Sequence, residues 1–565
     1  MTRRPSFGAL AALATGLALF AAPAGAQQPP AGAQQTPAGA QQAPAGGQRV
    51  SVGTQQAPAG AQQAAPKRGG TLQFAISGEP PNYDCHANSS FAAIHWLAPH
   101  YSTLLKFDIP NYPKIVADVA ESWQVSRDQL TYTFKLKRNV KFHDGTPMTS
   151  ADVKATYDRL RNPPEGVVSL RKGSFEDIAS IETPDANTVV FKLSKPDAAM
   201  LANFASPWNC IYSAAKLKQD ANFPKNNIMG TGAFRFVEHA KGSHWVGQRF
   251  DGYYDQGKPY LDGFRAVLLS GAPMINAMNG GQIMGEFRGF SPAERDRLVQ
   301  SLGNKVQVQE SGWVCKLDIL YNTAKKPFDD PRVRRALSMA IDRWGGARNL
   351  QRIAFVKEVG GIIRPGYEFA AKKDELTKYP GFAENMQQAR EQAKALLKQA
   401  GAENLKFKLT NRTVAMPYTP TALYTIDQWR QIGVEVEHNQ LETAPYQASI
   451  QSGNYDAAIN FACDYMDEPN LQLLNYISQD RSSLNYGRYT DRKLDELYEK
   501  QKRATAKDER TKLIREFERH LFDQSYTVPL LWWHRIIVHD ARVKGWHVSP
   551  SHYIGQDLAG VWLAQ

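Results

Sequence analysis

His143-Asp144 sets an imidazole beside a carboxylate, the material of general acid–base chemistry, but the pair reads as part of a turn rather than as a catalytic couple. His95 and His100 are five residues apart, which does not place them on one helical face, so they do not form a zinc-binding pair. HExxH, GxSxG and GxxxxGK[ST] are all missing. Gly230-Thr231-Gly232-Ala233-Phe234-Arg235 lacks the third glycine of a dinucleotide-binding loop. Carboxylates are plentiful, but spacing alone defines no glycosidase pair. The expectation is a protein that binds rather than catalyses, with no catalytic residue, no metal site and no cofactor.

The elements that must position any binding residues belong to an ordinary globular chain. Of 565 residues, 42% are hydrophobic and 22% charged, which excludes a fibrous or wholly disordered protein. The length suggests roughly three or four domain-sized lobes. The net charge is +12, but basic and acidic residues alternate, as in Asp491-Arg492-Lys493-Leu494-Asp495-Glu496, so no nucleic-acid partner is expected. Only the extreme N-terminus is apolar enough to approach a membrane span, which excludes a multi-span protein. The four cysteines, Cys85, Cys210, Cys315 and Cys463, form no CxxC motif. They admit one or two disulfides in an oxidising compartment, and the sequence does not pair them.

Residues 1–26 read as a secretory signal peptide: Arg3 and Arg4, an apolar run from Gly8 to Ala22, then Ala24-Gly25-Ala26 ahead of Gln27. The spacing does not decide between the general and twin-arginine export routes, and no lipobox cysteine follows. Cleavage after Ala26 and a periplasmic location are expected. Residues 27–66 repeat a seven-residue unit such as QQTPAGA, whose proline and glycine forbid a coiled coil. That stretch is expected to be a disordered linker.

From Gly70 to Ile76 apolar and polar residues alternate, as do Leu130 to Leu136 and Val189 to Leu193; these are expected strands. Thr149 to Leu160 reads as a helix capped by Thr149 or Ser150, with Asp152 in its first turn. Further helices are expected over Gln388–Gln399, Arg492–Arg503 and Lys507–Phe522, the last with Leu513, Phe517 and Leu521 on one face. Strands and helices alternate without a sustained βαβ rhythm, which favours mixed α/β lobes over a barrel.

Several stretches, in order, carry a resemblance. They are Ala120-Glu121-Ser122-Trp123; Lys141-Phe142-His143-Asp144-Gly145-Thr146-Pro147; Asp185 to Pro196; Met229-Gly230-Thr231-Gly232-Ala233-Phe234; Tyr321-Asn322-Thr323; Pro327 to Leu337; Ala340-Ile341-Asp342-Arg343; Gly453 to Ala458; Asp464-Tyr465 with Pro469; and Val528-Pro529-Leu530. Together they resemble the peptide/nickel-type (family 5) periplasmic solute-binding proteins of ABC transporters, the group that includes the dipeptide- and oligopeptide-binding proteins.

The resemblance implies an α/β, two-lobed periplasmic solute-binding fold with an extra subdomain on lobe one. Residues 67–106, 229–321 and 533–565 would form lobe one, 107–228 the subdomain and 322–532 lobe two. Tyr321 and Asn322 would lie at a crossover beside the cleft. Asp464 would pair with a peptide's α-amino group, flanked by Cys463 and Tyr465. Glu79 after the first strand, Glu286-Phe287-Arg288 at a strand-end loop, and Arg412 ahead of Tyr418 are further cleft candidates, with Trp208 and Trp313 as walls. The implied function is extracytoplasmic solute receptor of an ABC importer. It would bind a peptide-like or other small organic solute, close over it, and deliver it as a monomer to a permease and ATPase complex at the inner membrane. A receptor for a metal chelate, haem or an opine on the same fold, and an exported hydrolase, are the alternatives.

Overall fold

The computed structural model describes residues 65–413, 416–464 and 466–564. The signal peptide and nearly all of the repeat lie outside the described residues, as does Tyr465.

The alternation after Gly70 does give a strand, Thr71–Ile76, whose Leu72, Phe74 and Ile76 are buried. It pairs in parallel with Gly263–Leu268, which runs antiparallel to His244–Arg249, itself paired with Phe234–Ala240. Two isolated bridges, Ala75 to Glu286 and Gly285 to His539, tie the segment carrying Glu286 and Arg288 to this sheet's edge and to the strand Thr527–Asp540.

A second, antiparallel sheet orders its strands Ala120–Val125, Thr131–Leu136, Thr188–Leu193 and Ile178–Asp185. The helix Ser150–Arg161 lies against it and opens with a capping box between Thr149 and Asp152. Tyr157 on that helix packs its ring 5.0 Å from Phe191. One continuous apolar core joins these two sheets.

The turn and glycine motifs here are structural. A Cβ at Gly232 would sit 2.4 Å from the carbonyl carbon of His100, so backbone contact, not phosphate binding, requires the glycine. His143 accompanies it, with its backbone N–H donating to the Gly230 carbonyl at 2.9 Å and Nε2 3.0 Å from the Gly232 carbonyl. His100 is fully buried and accepts the Trp245 indole N–H at 2.9 Å.

The third sheet has six strands in the order Val356–Glu358, Thr527–Asp540, Val306–Tyr321, Ala457–Cys463, Lys406–Arg412 and Glu435–Leu441. Its own core is built on Trp313, Trp429 and Trp533. A separate cluster beneath Arg492–Arg503 and Lys507–Gln524 buries Leu494, Leu497, Phe517 and Leu521. Val306–Tyr321 has 16 residues and spans ~50 Å at the usual strand rise. It pairs antiparallel with Thr527–Asp540 from Val306–Asp540 to Leu320–Thr527, with the register broken between Gly312 and Lys316. These two long strands run from the neighbourhood of the first sheet into the heart of the third. Disulfides join Cys85 to Cys210 and Cys315 to Cys463.

Candidate functional site

Asp464 follows the strand Ala457–Cys463, and its backbone is fixed from three directions. Cys463 is bonded to Cys315, its direct partner in the ladder. The Asp464 N–H donates to the Val314 carbonyl at 3.2 Å, and its carbonyl accepts the Ser551 hydroxyl at 3.0 Å. The side chain is half-buried, and Oδ2 is buried with no hydrogen-bond partner among the described residues. It does not cap the next helix, Pro469–Leu474, because Glu468 does. Burial pushes the Asp464 carboxyl up to about 7, while Lys316 attracts a negative charge there and Asp467 repels it. Lys316 is fully buried over Trp532 and Tyr476, its ammonium 3.1 Å from the Gln472 side-chain oxygen. Burial lowers its own pKa.

Arg288 approaches from the first sheet. Its guanidinium stacks 4.5 Å over Phe91 and 5.9 Å over Trp313. Behind it, Glu286 is buried, accepts the Gly289 N–H at 2.8 Å, and is pushed by burial up to about 7. Phe287 is core, with its ring 5.4 Å from Phe74 and 4.6 Å from Trp546. The buried Arg535 guanidinium stabilises this turn by donating to the carbonyls of Phe287 and Arg288.

Arg412 ends the strand Lys406–Arg412, donates to the Tyr418 hydroxyl at 3.2 Å and stacks over Tyr418 and Phe461. Trp208 is buried, with Arg171 stacked 4.5 Å above it and Tyr553 at 5.6 Å. Trp313 is buried too and donates its indole N–H to His552 at 2.8 Å. Ser551-His552-Tyr553 is thus the hub: Ser551 holds Asp464, His552 holds Trp313, and Tyr553 meets Trp208. The Tyr553 hydroxyl lies within the electrostatic reach of Asp464, Arg288, Arg171 and Tyr418.

Glu79, Tyr321 and Asn322 lie elsewhere. Glu79 accepts the Gly242 N–H at 2.7 Å and sits 3.0 Å from His239 Nε2, bracing a hairpin turn. Tyr321 is fully buried and stacked on Phe328, at the far end of its long strand. Asn322 donates to the Gly453 and Tyr455 carbonyls. The structure therefore gathers Asp464, Cys463, Arg288, Arg412, Trp208 and Trp313, with Glu286 and Phe287 behind Arg288. Sequence reasoning missed Phe91, Arg171, Lys316, Phe461 and the 551–553 hub. The hub sits in irregular chain and carries no periodic signal. Among the described residues no three His, Cys, Asp or Glu side chains are placed to hold a metal ion.

This is a carboxylate and several stacked guanidiniums in an aromatic lining, assembled from the edge of the first sheet, the strands of the third and the irregular chain around Arg171, Trp208 and residues 551–553. Residues 114–483 match the family described as bacterial extracellular solute-binding proteins, family 5. The chain belongs to that family. It is similar to a dipeptide-binding protein of Escherichia coli K12, 26% identical over 86% of this chain and 94% of the relative. It is also similar to di/tripeptide-binding protein 1 of Pseudomonas aeruginosa strain UCBPP-PA14, 28% identical over 77% of this chain and 84% of the relative. Among solved structures, the periplasmic binding protein AgaA of A. tumefaciens R10 in complex with agropinic acid superposes with a TM-score of 0.76 at 27% identity, covering 88% of this chain and 99% of AgaA. The family-5 chain thus has the two-lobed α/β fold of periplasmic binding proteins and is a solute receptor of the kind that serves ABC importers. Its relatives are binding proteins, and among the described residues no helix is long and apolar enough to cross a membrane.

Proposed function

We propose that this receptor takes a peptide-like solute whose ammonium group meets Asp464, and that it acts by closure without catalysis. The observation that carries the reading is the Asp464 carboxylate: one buried oxygen has no hydrogen-bond partner among the described residues, while the backbone around it is fixed by a disulfide and two hydrogen bonds. A charge-assisted bond to an ammonium would satisfy it in a closed, dry site. The peptide-binding relatives support the same choice. The lobes would be 67–106 with 229–312 and 533–565, carrying the subdomain 107–228, against 316–532, because residues 316–321 pair with Ala457–Ala462 in the third sheet, which moves the first crossover inward from the expected boundary at 321/322. The strand pair Val306–Tyr321 and Thr527–Asp540 would supply the crossover, flexing where its register breaks. The mature protein would begin at Gln27, reside in the periplasm as a monomer and hand its solute to an ABC permease and ATPase complex.

A second reading, an opine-type amino-acid conjugate, is favoured by the likeness to AgaA. Mass spectrometry of solute carried through native purification, followed by calorimetry with that solute, tests the proposal. A short peptide is expected. A captured solute with no ammonium group, or binding unaffected by Asp464→Asn, would overturn it.

A further inference from the structure

Arg288 makes no hydrogen bond or ion pair through its side chain among the described residues, and its Nε is buried without an acceptor. Its guanidinium plane is nevertheless held, stacked on Phe91 and Trp313. A stacked guanidinium loses little freedom on binding and presents a planar fork that fits a carboxylate with two parallel hydrogen bonds. When a cleft closes and expels water, such a charge needs a counter-anion. Among the described residues no carboxylate forms an ion pair with it within 4.0 Å. Glu286 is buried behind it with one oxygen on the Gly289 N–H, and the backbone of Asp464 is fixed to Val314 and Ser551 on the strand end from the third sheet. Arg171 and Arg412, stacked on Trp208 and on Tyr418 and Phe461, add positive field on either flank, whatever else they bond. Tyr553 feels Arg288 and Arg171, and Tyr418 feels Arg288 and Arg412, so the three cations converge on one aromatic-lined region.

We infer that Arg288 anchors an anionic group of the solute, and that the site prefers amphoteric solutes whose acidic groups outnumber their ammonium groups. This rests on the peptide reading above and extends it to a charge class: acidic short peptides or amino-acid dicarboxylates ahead of neutral ones, with basic ones last.

The test is calorimetric titration of the mature protein with alanyl-glutamate, alanyl-alanine, alanyl-lysine and glutarate, in the parent and in Arg288→Gln and Arg288→Lys. Alanyl-glutamate should bind about tenfold or more tighter than alanyl-alanine, with alanyl-lysine weakest. Arg288→Gln should remove that order, mainly by weakening alanyl-glutamate about 10- to 100-fold. Arg288→Lys keeps the charge but not the fork, so it should keep the order while weakening alanyl-glutamate. If the glutamine variant melts early, the lysine variant decides, and an unchanged alanyl-glutamate affinity overturns the inference. Dipeptides that bind without charge order also overturn it and leave the peptide reading standing. Glutarate binding that depends on Arg288, with no dipeptide bound, sinks the peptide reading and overturns the amphoteric preference, leaving Arg288 as an anion anchor only. Binding of none of the four overturns both.

Discussion

Asp464 is a carboxyl whose protonation state decides its partner. Burial raises it to about 7, so below neutrality it is mostly uncharged, and an ammonium solute must displace its proton to bind. Affinity for an ammonium solute should therefore rise up to about tenfold per pH unit as pH approaches about 7. It should fall again above about pH 8, where a peptide's α-amino group loses its own proton. The sign for folding is the opposite. A raised carboxyl stabilises the empty protein fully below its ordinary range near 4 and loses that contribution as pH climbs through about 7. Asp464→Asn should cost about 1.5–3 kcal/mol in affinity for a cationic solute near pH 7.5, and should flatten the acid limb of the profile. Because Asp464 neither caps a helix nor forms an ion pair within 4.0 Å among the described residues, the empty variant should melt no lower than the parent. Calorimetry across pH, alongside melts, reads both effects. An affinity that is level between about pH 5.5 and 7.5 would rule out an ionisable Asp464 contact.

The disulfide Cys315–Cys463 joins directly opposed residues of neighbouring strands and lies one residue before Asp464. It closes a loop with a sequence separation of 148, and removing such a bond costs about 2–4 kcal/mol. Cys315→Ser with Cys463→Ser should lower the melting temperature and also loosen the strand end that aims Asp464. Solute affinity should then fall severalfold even well below the melting transition. If the folded double variant binds as tightly as the parent, the disulfide stabilises the sheet without positioning the carboxylate. The strands and helices at this scale were largely legible in the sequence, because alternation and caps are local signals: Thr71–Ile76, Thr131–Leu136, the Thr149 capping box and Arg492–Arg503 lie close to where they are expected. The site was legible only in part. Asp464 and Arg288 stand in stretches that resemble relatives, whereas Phe91, Arg171 and Ser551-His552-Tyr553 meet them only through long-range packing. Tyr321 and Asn322 carried a motif whose physical cause is core packing and backbone hydrogen bonding. The glycines near residue 230 answer to the His100 backbone in the same way.

At the scale of the whole molecule, an ionic cluster joins the antiparallel-sheet segment to the helix Arg492–Arg503, which the proposed division of the chain puts in the opposite lobe. The Lys502 ammonium, 3% exposed, lies 2.9 Å from Asp177, 3.0 Å from Glu176 and 3.8 Å from Asp197. Arg503 pairs with Asp177 at 2.6 Å, and the Ala198 N–H donates to the Lys502 carbonyl at 3.1 Å. Asn470, on the Lys502 side of the contact, donates to Asp197 at 3.0 Å. With the lobes apart these charges would regain water, so the cluster favours closure only while every partner is present. Lys502→Met would leave the buried Asp197 without its cation and Asp177 with Arg503 alone, all on the 107–228 side of the contact, and breaking a buried pair this way costs about 3–5 kcal/mol. The closed state should lose population, solute affinity should drop at least tenfold, and X-ray scattering of the solute-loaded variant should give a larger radius of gyration than the parent. Burial already pushes Asp197 up to about 6, and without Lys502 it should rise further. Lowering the pH to about 5 should therefore neutralise the uncompensated Asp197 charge and bring the variant's radius back toward that of the parent at the same pH. A variant that closes like the parent at neutral pH would show that the cluster is incidental to closure. Expansion at neutral pH that acid fails to reverse would show that the lost ammonium acted through packing rather than through charge.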